Sequence, residues 1–182
     1  MAYGKDQLLS MLAKIDQEAT LSLGPVDRKL PVVIVGGSAF LLHDLTNRPT
    51  THDVDVLVHH SALRELLVNY HAVNGAVAAY MDQIPYNFED RLIRVGLETE
   101  TVEFLTPSLE DLAVMKLYGW RPNDRADLES PAFLERVNWD VLDRLVYGPD
   151  EAHASALSER RYDEMVSVYE DYARRCGYEP NA

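Results

Sequence analysis

The sequence predicts an α/β protein in which a small mixed sheet is flanked by helices and followed by a helical C-terminal part. Residues 32–35 are four β-branched residues that lead into Gly-Gly-Ser at 36–38, which is typical of a buried strand ending in a tight turn. Residues 51–58 end in the alternating pattern of a second strand. From residue 131 onward, apolar side chains recur at helical spacing instead.

Length and composition are consistent with one compact unit. The chain has 182 residues, of which 47% are hydrophobic, and this is enough to bury a proper core. We expect an N-terminal helix in residues 1–24 that packs on the core, a core in residues 25–130, and a helical part in residues 131–182.

Charge and cysteine content restrict the function classes. The net charge of −13 weighs against a broad nucleic-acid surface, so a polynucleotide substrate would require a local basic patch. Cys176 is the only cysteine, which excludes an internal disulfide. No segment is long and apolar enough to cross a membrane, and the first residues lack a signal-peptide pattern. We therefore expect a cytoplasmic protein.

The helices of the first half follow from apolar spacing. Residues 5–20 predict an amphipathic helix, and residues 39–45 predict a short apolar helix after the Gly-Gly-Ser turn. Ser61 is expected to cap a helix that extends to about residue 71. Residues 75–85 are expected to continue as a helix before a turn.

The second half begins with a predicted antiparallel hairpin formed by residues 92–97 and 101–105. A helix start follows at residues 106–111, with a capping hydroxyl, an early proline and two acids. Further helices are predicted at residues 133–137, 139–147 and 158–175, with Asp140 as a candidate cap. The aromatic face of the last helix indicates a core or an oligomer contact.

Two carboxylates on the second strand indicate a cation site. The period of two places Asp53 and Asp55 on one face of the strand, where they repel each other unless solvent or a cation neutralises them. Mg²⁺ is the natural candidate. Gly36 and Gly37 would let the backbone approach an anion closely, and Ser38 would add a hydroxyl or act as the helix cap. Taken singly, each motif is more often a plain turn or a solvated strand face.

Residues 35–56 contain, in this order, the end of a strand, Gly-Gly-Ser, a helix and an apolar-flanked Asp-x-Asp. This order resembles the signature of the DNA polymerase β-like nucleotidyltransferase superfamily. The resemblance extends over roughly residues 30–146. It implies a polymerase β-like fold, Mg²⁺ ions in a two-metal site, an NTP substrate, and phosphate contacts from Gly36, Gly37 and Ser38.

The resemblance also implies a third metal carboxylate from a neighbouring strand. Glu103 is an acidic residue inside the apolar strand 101–105, and we expect it to complete the metal set with Asp53 and Asp55. The alternative is an outward-facing glutamate on an edge strand.

Two further segments are similar to AbiEii-like nucleotidyltransferases and MenT toxins. Arg48, followed by Thr50 and Thr51, resembles the linker that precedes Asp-x-Asp in those proteins. Residues 110–128 resemble a helix followed by an Arg-rich loop. By that resemblance Lys116 contacts the triphosphate, and Asp127 orients Lys116 or a catalytic group. By the same resemblance, Arg121 and Arg125 lie near the anion.

The predicted activity is transfer of a nucleoside monophosphate from an NTP to a hydroxyl acceptor. By the resemblance, the acceptor is tRNA or another RNA, or a protein side chain, and the enzyme is the toxin of a toxin–antitoxin pair with a cognate antitoxin. A small-molecule transferase of the aminoglycoside type is the alternative enzyme, and the acidic balance favours a cationic acceptor. A third hypothesis is a non-catalytic member of the fold that binds an NTP or a partner chain. A homo-oligomer is compatible with all three.

Overall fold

A computed structural model of the chain describes residues 2–75 and 81–181. The chain divides into two compact units, Met1–Ala78 with Leu92–Pro107 and Ala79–Arg91 with Ser108–Ala182. The first boundary after the sheet therefore lies at residue 107, whereas the sequence suggested one near residue 130. The expected helix across residues 75–85 falls in part on residues 76–80, outside the described residues.

The first unit contains the sheet. Its elements in chain order are α1 (Lys5–Leu23), β1 (Leu30–Val35), α2 (Gly36–Leu42), β2 (Val54–Leu57), α3 (Ser61–Leu67), β3 (Val73–Asn74), β4 (Ile93–Arg94) and β5 (Val102–Thr106). The strand order is β3-β2-β1-β5-β4.

Strand β1 is the centre of the sheet because it pairs with both long neighbours. It runs antiparallel to β2 and parallel to β5, while β2 and β3 are parallel and β4 and β5 are antiparallel. The sheet is thus mixed, and the predicted α/β fold class is confirmed. The predicted hairpin is present as β4 and β5, although β4 is only two residues long.

Helix α1 covers the sheet with an apolar stripe, as its sequence spacing predicted. The stripe is almost fully buried and consists of Leu8, Leu12, Ile15 and Ala19. Asp16, on the same helix, is also buried, and its carboxylate accepts backbone N–H groups of Glu100, Thr101 and Val102 at 2.7–2.9 Å. These bonds satisfy the buried charge and fix α1 against the start of β5.

The second unit is helical. Its elements are a 3₁₀ turn (Phe88–Arg91), α4 (Leu109–Gly119), α5 (Pro122–Leu128), α6 (Pro131–Leu134), α7 (Trp139–Tyr147), α8 (Ala152–Ser155) and α9 (Glu159–Arg175). The bounds of α7 are those predicted from sequence. Residues 122–128, which resembled an Arg-rich loop, form helix α5, because Pro122 stands at a favoured first position and Asp124 bonds back to the Arg121 N–H.

The cap residues of three helices differ from the predicted ones by one or two positions. His60 caps α3, because its Nδ1 accepts the Leu63 N–H, and Ser61 is the first helical residue. Ser108 caps α4. Asn138 caps α7 in place of Asp140.

The start of α2 also differs. The helix begins at Gly36 itself, with Val35 as its cap residue, so the two glycines belong to its first turn.

An arginine network holds the 81–91 segment to the helices of the second unit. The guanidinium of Arg91 bonds both carboxylate oxygens of Asp111 and both of Glu151, at 2.8–3.3 Å. Burial alone would lower the pKa of Arg91, but the bonds to Asp111 and Glu151 outweigh it and raise the pKa, so the arginine stays charged.

The aromatic face of α9 is part of the core, as the sequence indicated. Tyr169 and Tyr172 are fully buried, and their hydroxyls donate to Asp143 and to the Leu128 carbonyl. Within residues 2–75 and 81–181, no helix has the length and apolar character needed to cross a membrane.

Candidate functional site

Asp55 lies on β2 and Asp53 immediately precedes that strand, and the exposure of residues 53–56 follows the predicted alternation. Val54 and Val56 are 1% and 2% exposed, whereas Asp53 is exposed and Asp55 is half-buried. The two carboxylates therefore share the more open face of the strand.

Asp55 is held by neighbours on both sides. Its Oδ1 accepts a hydrogen bond from Nδ2 of Asn74 on the adjacent strand β3, at 2.9 Å. On the other side, Asp55 pairs with Val35, so its carboxylate lies beside the first residue of α2. Gly36 has a φ of +66°, and a Cβ built on it would lie 3.0 Å from Asp55 Oδ2. Gly36 thus meets two requirements, a left-handed backbone and space for a carboxylate.

The backbone of Asp53 is fixed by two hydroxyls. Ser38 Oγ and Thr51 Oγ1 both donate to the Asp53 carbonyl, at 2.8 and 3.2 Å. Thr51 itself forms a two-way backbone bridge with Tyr3. The Ser38 hydroxyl, which the sequence assigned to phosphate contact or helix capping, is therefore used to position Asp53.

Arg48 brings a positive charge to the same turn. A Cβ built on Gly37 would lie 3.0 Å from Nη2 of Arg48 and 3.7 Å from Thr51 Oγ1. The missing side chain at Gly37 therefore makes room for the guanidinium. The sequence predicted Arg48 and Gly37 as anion-binding residues, and the structure places them together.

Glu103 lies elsewhere on the sheet. It pairs with Pro31, whereas Asp55 pairs with Val35, four residues further along β1. That offset is roughly 13 Å of strand rise, and β2 and β5 flank β1 on opposite sides, which adds about 10 Å across the sheet. The Glu103 carboxylate is paired with Nε of Arg94 at 2.7 Å.

The strand register therefore does not support the expectation that Glu103 shares an ion with Asp53 and Asp55. Among the described residues, no group of three or more His, Cys, Asp or Glu side chains is placed to hold a metal ion. The donor set that remains, two carboxylates on an open strand face, matches the way Mg²⁺ is bound when substrate phosphates and waters supply the other ligands.

Lys116 and Asp127, which the sequence also singled out, lie in the second unit and contact each other. Lys116 Nζ is 2.8 Å from Asp127 Oδ2 and 2.9 Å from Asp124 Oδ1, and all three side chains are nearly inaccessible. Arg121 binds Asp124 through its Nε at 2.8 Å, but its own side chain is 77% exposed. Asp124 was missed, although its spacing of three from Asp127 places both on one helical face.

The charge state of Asp124 follows from these partners. Burial would raise its pKa, but the hydrogen bonds from Arg121 and the charge of Lys116 dominate and hold the pKa below its usual value. The cluster is therefore an ion network with two anions and two cations at neutral pH.

A second feature that the sequence did not reveal is a cationic group around Trp120. The guanidinium carbons of Arg125 and Arg175 lie 4.9 and 5.7 Å from the centre of the Trp120 ring, at cation–π distance. Trp120 ends α4 in the left-handed conformation, with φ of 43°. Both arginines are exposed, and Arg175 also pairs with Glu129. Trp120 and Arg175 are too far apart in sequence for any spacing rule to connect them.

The mixed sheet, the helix that begins at Gly-Gly and the Asp-x-Asp strand beside it are the features of the nucleotidyltransferase fold. Residues 10–176 match the model of a family described as nucleotidyltransferases of unknown function (DUF6036), and the chain belongs to this family.

A solved structure shares the fold. The crystal structure of an antigenic nucleotidyltransferase-like protein from Paracoccidioides brasiliensis aligns with 100% of this chain and 97% of its own, with a TM-score of 0.53 and 11% sequence identity. No curated protein matches the sequence.

Because Asp55 lies so close to Gly36, we expect the stability of the protein to be sensitive to a side chain at position 36. Gly36→Ala and Gly177→Ala both place a Cβ at a positive φ, of 66° and 85°, and this strain costs about 1–2 kcal/mol. A Cβ at Gly177 has no neighbour within 4 Å, whereas one at Gly36 crowds Asp55. We expect Gly36→Ala to reduce the free energy of unfolding, measured in urea, by about 1 kcal/mol more than Gly177→Ala does. Equal losses of unfolding free energy in the two variants would contradict the close approach of Asp55 to Gly36.

The lowered pKa of Asp124 predicts a pH-dependent stability. A group with a depressed folded-state pKa stabilises above its unfolded-state pKa, near 3.9, and this stability disappears as the pH falls through the folded-state value. We expect Asp124→Asn to reduce the free energy of unfolding by about 3 kcal/mol at pH 7, because it leaves the buried Lys116 ammonium with one carboxylate fewer.

Urea unfolding at several pH values tests this. The difference between wild type and Asp124→Asn should shrink below about pH 4. Asp171→Asn removes the same charge from an exposed position of the same unit and serves as control. A difference that is independent of pH would show that Asp124 is not the titrating group.

Proposed function

We propose that this protein is a metal-dependent nucleotidyltransferase that transfers a nucleoside monophosphate from an NTP to a hydroxyl acceptor and releases pyrophosphate. The observation that carries the proposal is the constrained Asp53–Asp55 pair. One aspartate has its backbone clamped by two hydroxyls, and the other has its carboxylate held between Asn74 and Gly36. A solvated strand face without function has no need for a fixed carboxylate such as that of Asp55.

In this proposal Asp53 and Asp55 hold Mg²⁺ together with the substrate phosphates, and they serve both ions if two are bound. Bound Mg²⁺ neutralises phosphate charge and orients the reacting oxygens. Arg48, beside Gly37, binds the outer phosphates, since a guanidinium matches phosphate oxygens in a bidentate fashion. One of the two aspartates accepts the proton of the attacking hydroxyl.

The roles proposed for Lys116, Asp127 and Arg121 are adjusted by their contacts. The ion pair between Asp127 and Lys116 supports the proposal that Asp127 orients the lysine. The Lys116 ammonium is nearly inaccessible and faces two carboxylates, so it acts mainly on the geometry of α5. Arg121 is the member of this cluster that an anion can reach from solvent, and we retain it as a proposed phosphate ligand.

The first test measures transfer directly. Purified protein is incubated with each α-labelled NTP and Mg²⁺, with and without total tRNA, and label on RNA or protein is followed together with pyrophosphate release. We expect Asp53→Asn and Asp55→Asn to lower kcat/KM by about 100-fold or more, because each removes a ligand of the charge-stabilising ion.

Glu103→Gln is the matched control for this test. It also removes one carboxylate from the sheet of the first unit, but the strand register separates it from the Asp pair. Its activity should stay within about threefold of wild type. If Glu103→Gln were as inactive as Asp55→Asn, the exclusion of Glu103 from the metal site would be wrong. If no variant changed turnover, the metal assignment would fail.

For the acceptor, we propose RNA, with tRNA as the first candidate and a toxin-like role in a pair with a cognate antitoxin. The sequence required a local basic patch for such a substrate, and the two exposed arginines against Trp120, Arg125 and Arg175, support this proposal. At physiological salt, charges more than about 8 Å away are largely screened, so the local patch counts for more than the net charge.

A small cationic acceptor is the alternative, and the net charge of −13 supports it. Label on a small molecule in place of RNA would select it. Measurable NTP binding without any transfer would favour the non-catalytic hypothesis instead.

The RNA proposal predicts a salt-dependent loss of binding. In Arg125→Gln/Arg175→Gln, the slope of log K against log salt for a labelled single-stranded RNA should fall by about 1.4, since each phosphate contact contributes about 0.7. Arg144→Gln/Arg160→Gln removes two exposed arginines from the same unit as control. If both double variants bind RNA alike, the Trp120 cluster is not the RNA surface.

A further inference from the structure

The second unit carries an apolar groove with a volume of about 570 Å³ between the 81–90 segment and residues 154–157. We call it the 81–157 groove. Met81, Tyr86 and Leu157 line it and are 37%, 67% and 73% exposed. They are three of the six large apolar side chains that are exposed in the described part of the chain. Apolar side chains that converge on one exposed groove are typical of an interaction site.

Three polar side chains of the groove, those of Asp82, Asn87 and Ser155, are already paired within the protein. Asp82 is paired with Arg161 at 2.7 Å. Asn87 donates to the Asp150 carbonyl, and Ser155 donates to the Ala152 carbonyl. Apart from the carboxylates of Glu89 and Asp90, the groove therefore offers a ligand mainly apolar surface.

The walls of the groove are fixed to each other before any partner binds. The Tyr86 N–H donates to the Glu151 carbonyl, and Arg91 joins Asp111 to the Glu151 carboxylate. Glu151 leads directly into the helix that supplies the opposite wall. Such preorganisation reduces the entropy that binding must overcome.

The charge beside the groove favours a cationic occupant. Glu89 and Asp90 are exposed on the 81–90 segment and contribute to its lining. A second copy of a chain with net charge −13 would bring like charge to this acidic edge, which disfavours self-association.

We propose that the 81–157 groove binds a basic amphipathic segment of a partner protein. Apolar residues of that segment contact Met81, Tyr86 and Leu157, and its Lys or Arg side chains face Glu89 and Asp90. The mode is that of an amphipathic helix in a groove. This interaction is separate from nucleotidyl transfer and does not depend on that activity.

The test uses the full chain and two defined peptides. The first is a fluorescent helical peptide of about four turns, with leucine at i, i+3, i+4 and i+7 spacing and lysine on the other face. The second replaces each lysine by glutamate. We expect the lysine peptide to bind at least about tenfold more tightly than the glutamate peptide, because the groove edge is acidic.

Variants then locate the binding. Tyr86→Ser/Leu157→Ser should weaken the lysine peptide at least about tenfold, since truncated anchors carry most of the energy of an interface. Both side chains are exposed, so folding is retained. Leu21→Ser/Val68→Ser removes two similarly exposed side chains, 86% and 73%, from the other unit and should change affinity less than about twofold. Glu89→Gln/Asp90→Asn should weaken the lysine peptide and flatten its salt dependence.

Several outcomes would overturn the proposal. One is that the lysine peptide does not bind, or that both peptides bind equally. Another is that the Leu21/Val68 variant loses as much affinity as the Tyr86/Leu157 variant, which would mean non-specific attraction to an acidic protein. A third is concentration-dependent dimerisation in sedimentation that Tyr86→Ser/Leu157→Ser abolishes, because the groove would then be covered by a second copy of this chain.

Discussion

The position of the Asp55 carboxylate beside Gly36 constrains the junction between β1 and α2. The antiparallel pairing of Val35 with Asp55 brings the acid to the point where β1 becomes α2. A side chain at that point would collide with the carboxylate and strain the backbone. Asn74 completes the arrangement from β3. The sheet thus presents an oriented carboxylate at a helix start, and this makes nucleotidyl transfer a physically coherent function for the unit.

In the second unit, buried ion networks constrain the packing of the helices. Lys116 lies between Asp124 and Asp127, and Arg91 lies between Asp111 and Glu151. Buried ion pairs contribute little net stability, because desolvation offsets most of the attraction, but breaking one is expensive. Such networks therefore select one arrangement of α4, α5 and the 81–91 segment over others. Gly119 leaves space for this network, because a Cβ there would lie 2.6 Å from Asp124 Oδ2.

Local charge matters more than total charge in this molecule. The chain as a whole is strongly acidic, yet one surface of the second unit gathers arginines around Trp120, and another gathers apolar side chains beside Glu89 and Asp90. A ligand responds mainly to charges within a Debye length, about 8 Å at physiological salt. Two surfaces of opposite character can therefore coexist on one small unit and select different partners.

Features that depend on local periodicity could be predicted from the amino-acid sequence. These are the mixed α/β class, the shared face of Asp53 and Asp55, the buried stripe of α1 and the bounds of α7, because side-chain periods of 2.0 and 3.6 are properties of the local backbone. Arg48 and Gly37 were each predicted to bind an anion, but their proximity was not predicted.

Features that depend on strand register and on contacts between distant residues could not be predicted in this way. Glu103 looked equivalent to any acid on a neighbouring strand, but an offset of four residues along β1 separates it from Asp55. The sequence also did not predict the Asn74–Asp55 hydrogen bond or the Arg175–Trp120 contact, because both form only when separate elements pack together. Local patterns fix which face a side chain occupies, whereas packing and register fix which other side chains it meets.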